Sequence, residues 1–259
     1  MEKSMECSGN EPEGQIEGRN AVTEALRAGV PIDKLYIVRD RTDSALGKIS
    51  SAARGKGAVI VEADRRKLDG MSFTHSHQGV IAMAALRAYA TLEEMLRRAE
   101  EKNEPPLLVV CDEISDPHNL GAIIRTAEAA GAHGVIIPKR RSAGLTAVVG
   151  KTSAGAAFHL PVARVSNLPS ALRELQGKGL WVFGAAAESG RTLYDADFAG
   201  PTAIVIGSEG KGMGRLVRET CDDTVEIPMR GEISSLNASA AAAVLLYEAV
   251  RQRMQDADV

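Results

Sequence analysis

The residues able to do chemistry fall in three short stretches. The first is Gly207-Ser208-Glu209-Gly210-Lys211-Gly212-Met213-Gly214, entered from the apolar run Ala203-Ile204-Val205-Ile206. Four glycines in eight residues permit positive φ and let a ligand lie against the backbone. Their spacing is not G-x-G-x-x-G, and no Gly-Lys-Ser/Thr closes the loop, so neither a dinucleotide fingerprint nor a Walker A loop is present. Glu209 repels phosphate, which argues against a polyphosphate ligand. A flexible strand-to-helix turn is the plainer reading of the same residues. The second stretch is Asp116-Pro117-His118-Asn119, leading into a helix in which Arg125 stands among alanines and isoleucines. A surface pair with Glu128 would explain Arg125 without any function. The third is Ser234-Ser235-Leu236-Asn237. Ser234 or Ser235 is the expected N-cap. Asn237 is a poor helix former in a first turn, a choice that often serves a ligand.

Two other patterns carry less. Gly150-Lys151-Thr152 resembles the end of a P-loop, but five residues separate Gly144 from Gly150 where the motif needs four, and they are apolar. His75 and His77 would face one way in an extended segment, yet no third ligand is near them. Hydrogen-bonding loop histidines are the simpler reading, and no metal site is expected.

Periodicity supplies the elements that must hold these residues. In the first part, a short helix from Ala21 to Ala28 capped by Asn20, strands at 35–38, 58–61 and 79–84, and a helix at 44–54 make a small αβαβ unit. Thr91 caps a charged helix before Pro105-Pro106, placing a linker over 88–104. Beyond it, strands are expected at 107–111, 134–137, 157–161, 180–183, 203–206 and 225–227. Helices are expected after Asn119 as cap, at 170–176, near 216–220, and from Ser235 to about Gln255. The alanine-rich middle of the last would let another backbone pack closely. Leu236, Ala240, Val244, Tyr247 and Val250 are expected to share one of its faces. Strand–helix–strand order implies parallel pairing, with ligands at the strands' carboxyl ends. Small residues at Gly184-Ala185-Ala186-Ala187 leave room there.

Bulk properties narrow the class. A chain of 259 residues with 44% hydrophobic and 25% charged residues is an ordinary globular composition. No apolar run reaches the length of a membrane span, and the first residues lack a signal-peptide core, so a cytoplasmic location and no membrane partner are expected. Cys7, Cys111 and Cys221 read as reduced thiols. The net charge of −3 opposes a broad nucleic-acid surface, but residues 1–17 hold five glutamates against one lysine. Short basic clusters remain at Arg65-Arg66-Lys67, Arg97-Arg98 and Lys139-Arg140-Arg141. At 3% aromatics, stacking platforms for bases are scarce.

Together, Asn119-Leu-Gly-Ala-Ile-Ile-Arg125-Thr126-Ala127, Ile206-Gly207-Ser208-Glu209-Gly210 through Ile227-Pro228-Met229, and Ser235-Leu236-Asn237-Ala238-Ser239 resemble the three motifs of the SpoU (TrmH-like) branch of the SPOUT RNA methyltransferases, in order and spacing. Ile16-Glu17-Gly18-Arg19-Asn20-Ala21-Val22 and His77-Gln78-Gly79-Val80 resemble that family's L30e-like domain. The resemblance implies an α/β fold: a disordered acidic tail at 1–14, an L30e-like RNA substrate-binding domain at 15–87, a linker at 88–104, and a parallel-sheet catalytic domain with a trefoil knot at 105–259. It implies S-adenosylmethionine-dependent methyl transfer to the ribose 2′-hydroxyl of a guanosine in 23S rRNA, by a homodimer joined through the catalytic domain. A tRNA substrate, an antibiotic-resistance rRNA site, or a non-catalytic ribosome-assembly factor are the alternatives. Carried over residue by residue, the cofactor contacts fall on Gly207, Ile227 and Leu236, with Gly210, Pro228, Met229, Gly184 and Ala185 beside them. The catalytic set is Arg125, Asn119, Glu209, Ser235 and Asn237. Arginine is a poor base at neutral pH. Arg125 would therefore hold a phosphate and stabilise alkoxide charge, unless a buried cationic site makes it the base. Asn119 would orient Arg125 or the ribose, and Glu209 would hold Arg125.

Overall fold

A computed structural model of the protein describes residues 14–39 and 43–256. The acidic tail expected over 1–14 lies, but for its last residue, outside the described residues. The chain divides into two compact units, 1–86 and 87–259.

The first unit holds β1 (Gln15–Glu17), α1 (Arg19–Arg27), β2 (Ile32–Val38), α2 (Ser44–Gly55), β3 (Val59–Ala63), α3 (Arg65–Met71) and β4 (Val80–Ala84). The sheet order is β1-β4-β2-β3, with β2 and β3 parallel and the other neighbours antiparallel. Val22 and Leu26 of α1 and Leu46, Ile49 and Ala53 of α2 form its core with Leu35, Ile37, Val80 and Ala82. β1 is too short to show a period, and the sequence reading lacks it. Helix α1 starts two residues earlier than expected. Gly18, at φ 86°, is the N-cap, and Gln78 Oε1 rather than Asn20 accepts the Arg19 amide at 3.2 Å.

Glu17 anchors the loop that leads into β4. Its carboxylate accepts from Gln15 Nε2 (2.7 Å), Ser72 Oγ (2.7 Å), the Phe73 amide (2.9 Å), the Thr74 amide (3.2 Å) and Thr74 Oγ1. Burial pushes its pKa up, but the hydrogen bonds from Thr74, Ser72, Phe73 and Gln15 outweigh that and bring it down to about 2. His77 is buried, with Nε2 2.8 Å from Asp69 and Nδ1 accepting the Gly79 amide at 3.0 Å. Both ring nitrogens are thus engaged, as the hydrogen-bonding reading expects.

The second unit contains α4 (Leu92–Lys102), β5 (Leu107–Cys111), α5 (Pro117–Ala129), β6 (Gly134–Pro138), α6 (Ala147–Thr152), α7 (Ala156–His159), β7 (Val162–Val165), α8 (Leu168–Gly177), β8 (Trp181–Ala185), a 3-10 turn (Leu193–Asp195), β9 (Thr202–Ile206), α9 (Arg215–Thr220), β10 (Asp223–Val225) and α10 (Ala238–Asp256). All strands are parallel, in the order β10-β8-β9-β5-β6-β7. On one face, α4, α8 and α9 pack Met95, Leu172, Leu175 and Val217 onto Leu108, Val110, Val182 and Val205. The alternate strand residues Leu107, Val109, Ile204 and Ile206 are also buried, and period 2 turns them to the other face, where α5, α6 and α10 lie together.

The expectations for the linker, the α5 cap and two strands are corrected here. The Thr91-capped helix expected within the linker forms as α4, but it is part of the second unit's core and not a surface linker, with Leu92, Met95 and Ala99 buried. It lies so close to β6 that a Cβ on Gly134 would come 2.3 Å from Met95 Sδ. Helix α5 begins at Pro117 with Asp116 as its cap, accepting the His118 amide at 2.9 Å, so Asn119 sits inside the first turn. The strand expected at 157–161 is helix α7 followed by β7, and the one at 225–227 lies two residues earlier as β10. Helix α10 buries Ala238, Ala242, Leu245, Leu246 and Ala249, while Ala240, Val244 and Tyr247 face outward.

A carboxylate with a lowered folded pKa stabilises above its unfolded value and loses that contribution as pH falls through the folded one. For Glu17 that window runs from 4.5 down to about 2. The urea midpoint of the wild type is expected to fall across this window by more than that of Glu17→Gln, which starts lower at pH 7. Equal falls in both proteins would contradict the anchoring role.

Candidate active site

The loop after β9 closes on itself through backbone alone. Ser208 and Gly212 exchange amide–carbonyl bonds at 3.1 and 2.8 Å. Gly210 and Gly212 take φ of 77° and 66°, a region glycine enters without strain. A Cβ on Gly207 would lie 2.3 Å from Gly212 C and Met213 N. Glycine is therefore required at 207 by the loop's own return, a cause internal to the protein. Similarly, a Cβ on Gly184 would sit 2.6 Å from Met213 Cε, so Gly184 makes room for that side chain. From behind, Asp112 Oδ2 accepts the Gly214 amide at 2.7 Å. Burial pushes the Asp112 carboxyl up from the usual range, with Glu113 adding to the shift and the Gly214 amide opposing it.

Over this loop lies a cavity of about 570 Å³, a volume usual for small-molecule sites. It sits at the carboxyl ends of β8, β9 and β10. Ala185, Ile206, Ile227, Leu236 and Ala241 give it apolar walls, and among the described residues Glu209 is its one charged lining residue, with no lysine, arginine or histidine beside it. Such a slot suits an uncharged nucleoside or a cation, and lacks what a polyphosphate needs.

At its rim three distant segments meet on one carboxylate. Glu209 Oε1 accepts Asn119 Nδ2 at 2.9 Å and also accepts Asn237 Nδ2. Asn237 Nδ2 reaches Asn119 Oδ1 at 3.0 Å. Asn237 Oδ1 accepts the Ser239 amide (2.9 Å) and Ser239 Oγ (2.6 Å), which makes Asn237, and neither Ser234 nor Ser235, the cap of α10. Capping fixes the side chain, so its amide hydrogens point at Glu209.

Of the residues singled out in the sequence, Gly207, Gly210, Ala185, Ile227, Met229, Leu236, Glu209, Ser235 and Asn237 line the cavity. Asn119 joins through Glu209. Pro228 sits between two lining residues without lining the cavity itself, and Gly184 is set behind the loop. Arg125 is apart. Exposed on α5, it forms no hydrogen bond or ion pair with any described residue, so Glu209 does not hold it. It lies six residues beyond Asn119, about 9 Å along the helix axis. Ile206, Ser208 and Ala241 also line the slot. Ile206 reads as a buried strand residue in the sequence, and only the fold sets it and Ala241 against the cavity.

An open parallel sheet covered on both faces, with an apolar nucleoside-sized slot at a glycine loop and an amide-clamped carboxylate at its mouth, defines an α/β enzyme of small-ligand chemistry. Comparison with known proteins makes the class specific. The SpoU rRNA Methylase family model matches residues 106–247. A second model, RNA 2′-O ribose methyltransferase substrate binding, matches residues 15–90. The chain is 49% identical over 238 residues to the 23S rRNA (guanosine-2′-O-)-methyltransferase RlmB of Ralstonia nicotianae, covering 91% of this chain and 94% of that protein. It is 48% identical over 236 residues to the putative TrmH family tRNA/rRNA methyltransferase YacO of Bacillus subtilis, with the same coverage. The SpoU methyltransferase AviRb of Streptomyces viridochromogenes, solved in complex with the cofactor AdoMet, superposes with TM-score 0.60 at 29% identity, over 93% of this chain and 90% of that one. The chain belongs to the SpoU rRNA methylase family.

Asp112→Ala leaves the Gly214 amide without its acceptor. Its hydrogen exchange is expected to rise about tenfold or more, as follows from losing a bond worth ~1.5 kcal/mol or more. Unchanged protection at Gly214 in residue-resolved exchange would mean that the loop is held by other contacts.

Proposed function

We propose that this protein transfers a methyl group from S-adenosylmethionine to the ribose 2′-hydroxyl of a guanosine in 23S rRNA. The observation that carries the reading is the slot itself: apolar, free of cationic side chains, and opening beside a clamped carboxylate. A neutral adenosine fits its walls, and a sulfonium is compatible with Glu209. The similarity to an enzyme named for methylating 23S rRNA guanosine over nearly its whole length favours that RNA over tRNA.

In this reading S-adenosylmethionine supplies the electrophilic methyl. The contacts assigned to Gly207, Gly210, Ile227, Met229, Leu236 and Ala185 are those of the slot walls. Glu209, fixed by Asn119 and Asn237, offers its free acceptor capacity to the 2′-hydroxyl and orients it for in-line transfer. Ser235, on the cavity wall, completes the polar shell. Arg125 supplies positive charge against the substrate phosphate and the developing alkoxide.

Arg125 does not line the slot of its own protomer, and so the reading includes a homodimer. The outward face of α10, with Ala240, Val244 and a half-exposed Tyr247, supports an interface there. The trefoil knot belongs to the same proposal. It is compatible with a chain that leaves central β9 for edge strand β10 and returns as α10 onto α5. No helix among the described residues is long and apolar enough to cross a membrane, and the proposed rRNA substrate supports a cytoplasmic location.

The test is labelled S-adenosylmethionine with protein-free 23S rRNA, and separately with tRNA, followed by mapping of 2′-O-methyl groups. Label at one guanosine of 23S rRNA is expected. Label on tRNA alone would keep the chemistry and overturn the substrate, and no cofactor binding would overturn both. Arg125→Ala is expected to lower kcat about 100-fold or more while cofactor affinity stays within twofold. Near-normal turnover of that variant would remove Arg125 from the chemistry.

A further inference from the structure

Beside the slot, the same edge of the sheet carries a second built feature. The loops after β5 and β6 are stapled to each other. Ala143 N donates to Ile114 O at 2.8 Å, Ser142 Oγ to Ile114 O at 3.2 Å, and Arg141 Nη1 to Glu113 Oε1 at 2.9 Å. Glu113 and Arg141, the two paired residues, both adopt left-handed backbone, at φ 56° and 57°. Neither is glycine, so each carries a local conformational cost. An exposed ion pair offsets little of it. Strain held by cross-loop bonds is the signature of a loop kept in one shape for a purpose.

What this shape presents is Lys139 and Arg140. Neither side chain has a hydrogen bond or ion pair with any described residue. The carboxylates of the neighbouring β5 loop are all engaged: Asp112 by the Gly214 amide, Glu113 by Arg141, and Asp116 by the His118 amide. Lys139 and Arg140 are therefore unpaired and free to take an anion. On the opposite side of the slot Lys211 and Arg230 also lack partners, in loops that carry the exposed Glu188 and Glu232.

We infer that Lys139 and Arg140, on the stapled β5–β6 loops, form a phosphodiester clamp that holds the RNA strand adjoining the methylated nucleotide. This rests on the methyltransferase reading of the slot. β6 lies two strands from β9, about 10 Å at ~4.8 Å per strand. A stacked strand rises ~3.4 Å per nucleotide, so the clamped phosphates lie within about three nucleotides of the target ribose. The strand held by the clamp runs from the slot mouth on the Asn119 side, toward β6. The clamp reads charge alone and adds no sequence preference.

The experiment compares wild type with the Lys139→Ala/Arg140→Ala double variant, using protein-free 23S rRNA. KM for RNA and filter-binding Kd are measured at several salt concentrations, with S-adenosylmethionine affinity measured alongside. The expected result is a roughly tenfold rise in KM and Kd near 0.15 M salt and a log Kd–log salt slope reduced by about 1.4, that is ~0.7 per phosphate contact. Saturated kcat and cofactor affinity stay within twofold, and Lys139→Arg/Arg140→Lys behaves nearly as wild type. An unchanged Kd and slope, or a loss confined to kcat, overturns the clamp. A wild type that binds rRNA but methylates none would sink the methyltransferase reading instead, and the salt slopes would still decide the clamp.

Discussion

The site depends on one carboxylate held by two carboxamides. Asn119, Glu209 and Asn237 come from the start of α5, the loop after β9 and the cap of α10, and they meet only because every strand of the sheet points the same way. In a parallel sheet the carboxyl ends share an edge, so loops far apart in the chain become neighbours. Hydrogen bonds to a charged acceptor are worth ~1.5–3 kcal/mol each, enough to fix a side chain that would otherwise rotate freely at the surface. Asn237 does two jobs, because its carbonyl oxygen caps the helix that its amide group ties to the site. Placement of α10 and orientation of Glu209 are therefore one event.

Around this point the protein uses backbone where side chains would obstruct. The β9 loop folds back so tightly at Gly207 that no Cβ fits, and the turn is closed by the Ser208–Gly212 pair. Met213 fills the space vacated at Gly184, and Asp112 secures the far end of the loop at Gly214. The cavity wall is thus made rigid from behind by contacts that no ligand touches. Preorganisation of this kind lowers the ordering cost of binding. It also keeps the wall apolar, since the polar groups that shape it are satisfied elsewhere.

Much of this was legible in the sequence. The strand–glycine loop–helix at 203–220 comes from residue types and order; the grouping of Asn119, Glu209 and Asn237 comes from the family resemblance, and the structure brings those three side chains together. Other features were not, for physical reasons. Helix α10 is apolar on two faces, so periodicity could not decide whether Val244 and Tyr247 or Leu245 and Leu246 turn inward; packing against β9 decided it. Asn237 looks like a misplaced helix residue until its carbonyl is seen capping the helix. The α4 stretch carries many charges, and that hid how Met95 seats against Gly134. Gly207 and Gly184 were read as space for a ligand, but the space is occupied by the loop's own atoms. Separation of Arg125 from Glu209 is a matter of helix phase and distance that motif spacing does not encode.

Glu209 is the group proposed to orient the 2′-hydroxyl, and the most direct measurement of that role is the single-turnover rate of methyl transfer to 23S rRNA by Glu209→Gln, with S-adenosylmethionine binding followed in the same samples. Glutamine keeps the length and removes the charge on which both amides converge. A rate about 100-fold below wild type with the cofactor still bound is the predicted result. An undiminished rate would show that the clamped carboxylate is only a support for the loop, and that the chemistry is centred on another group.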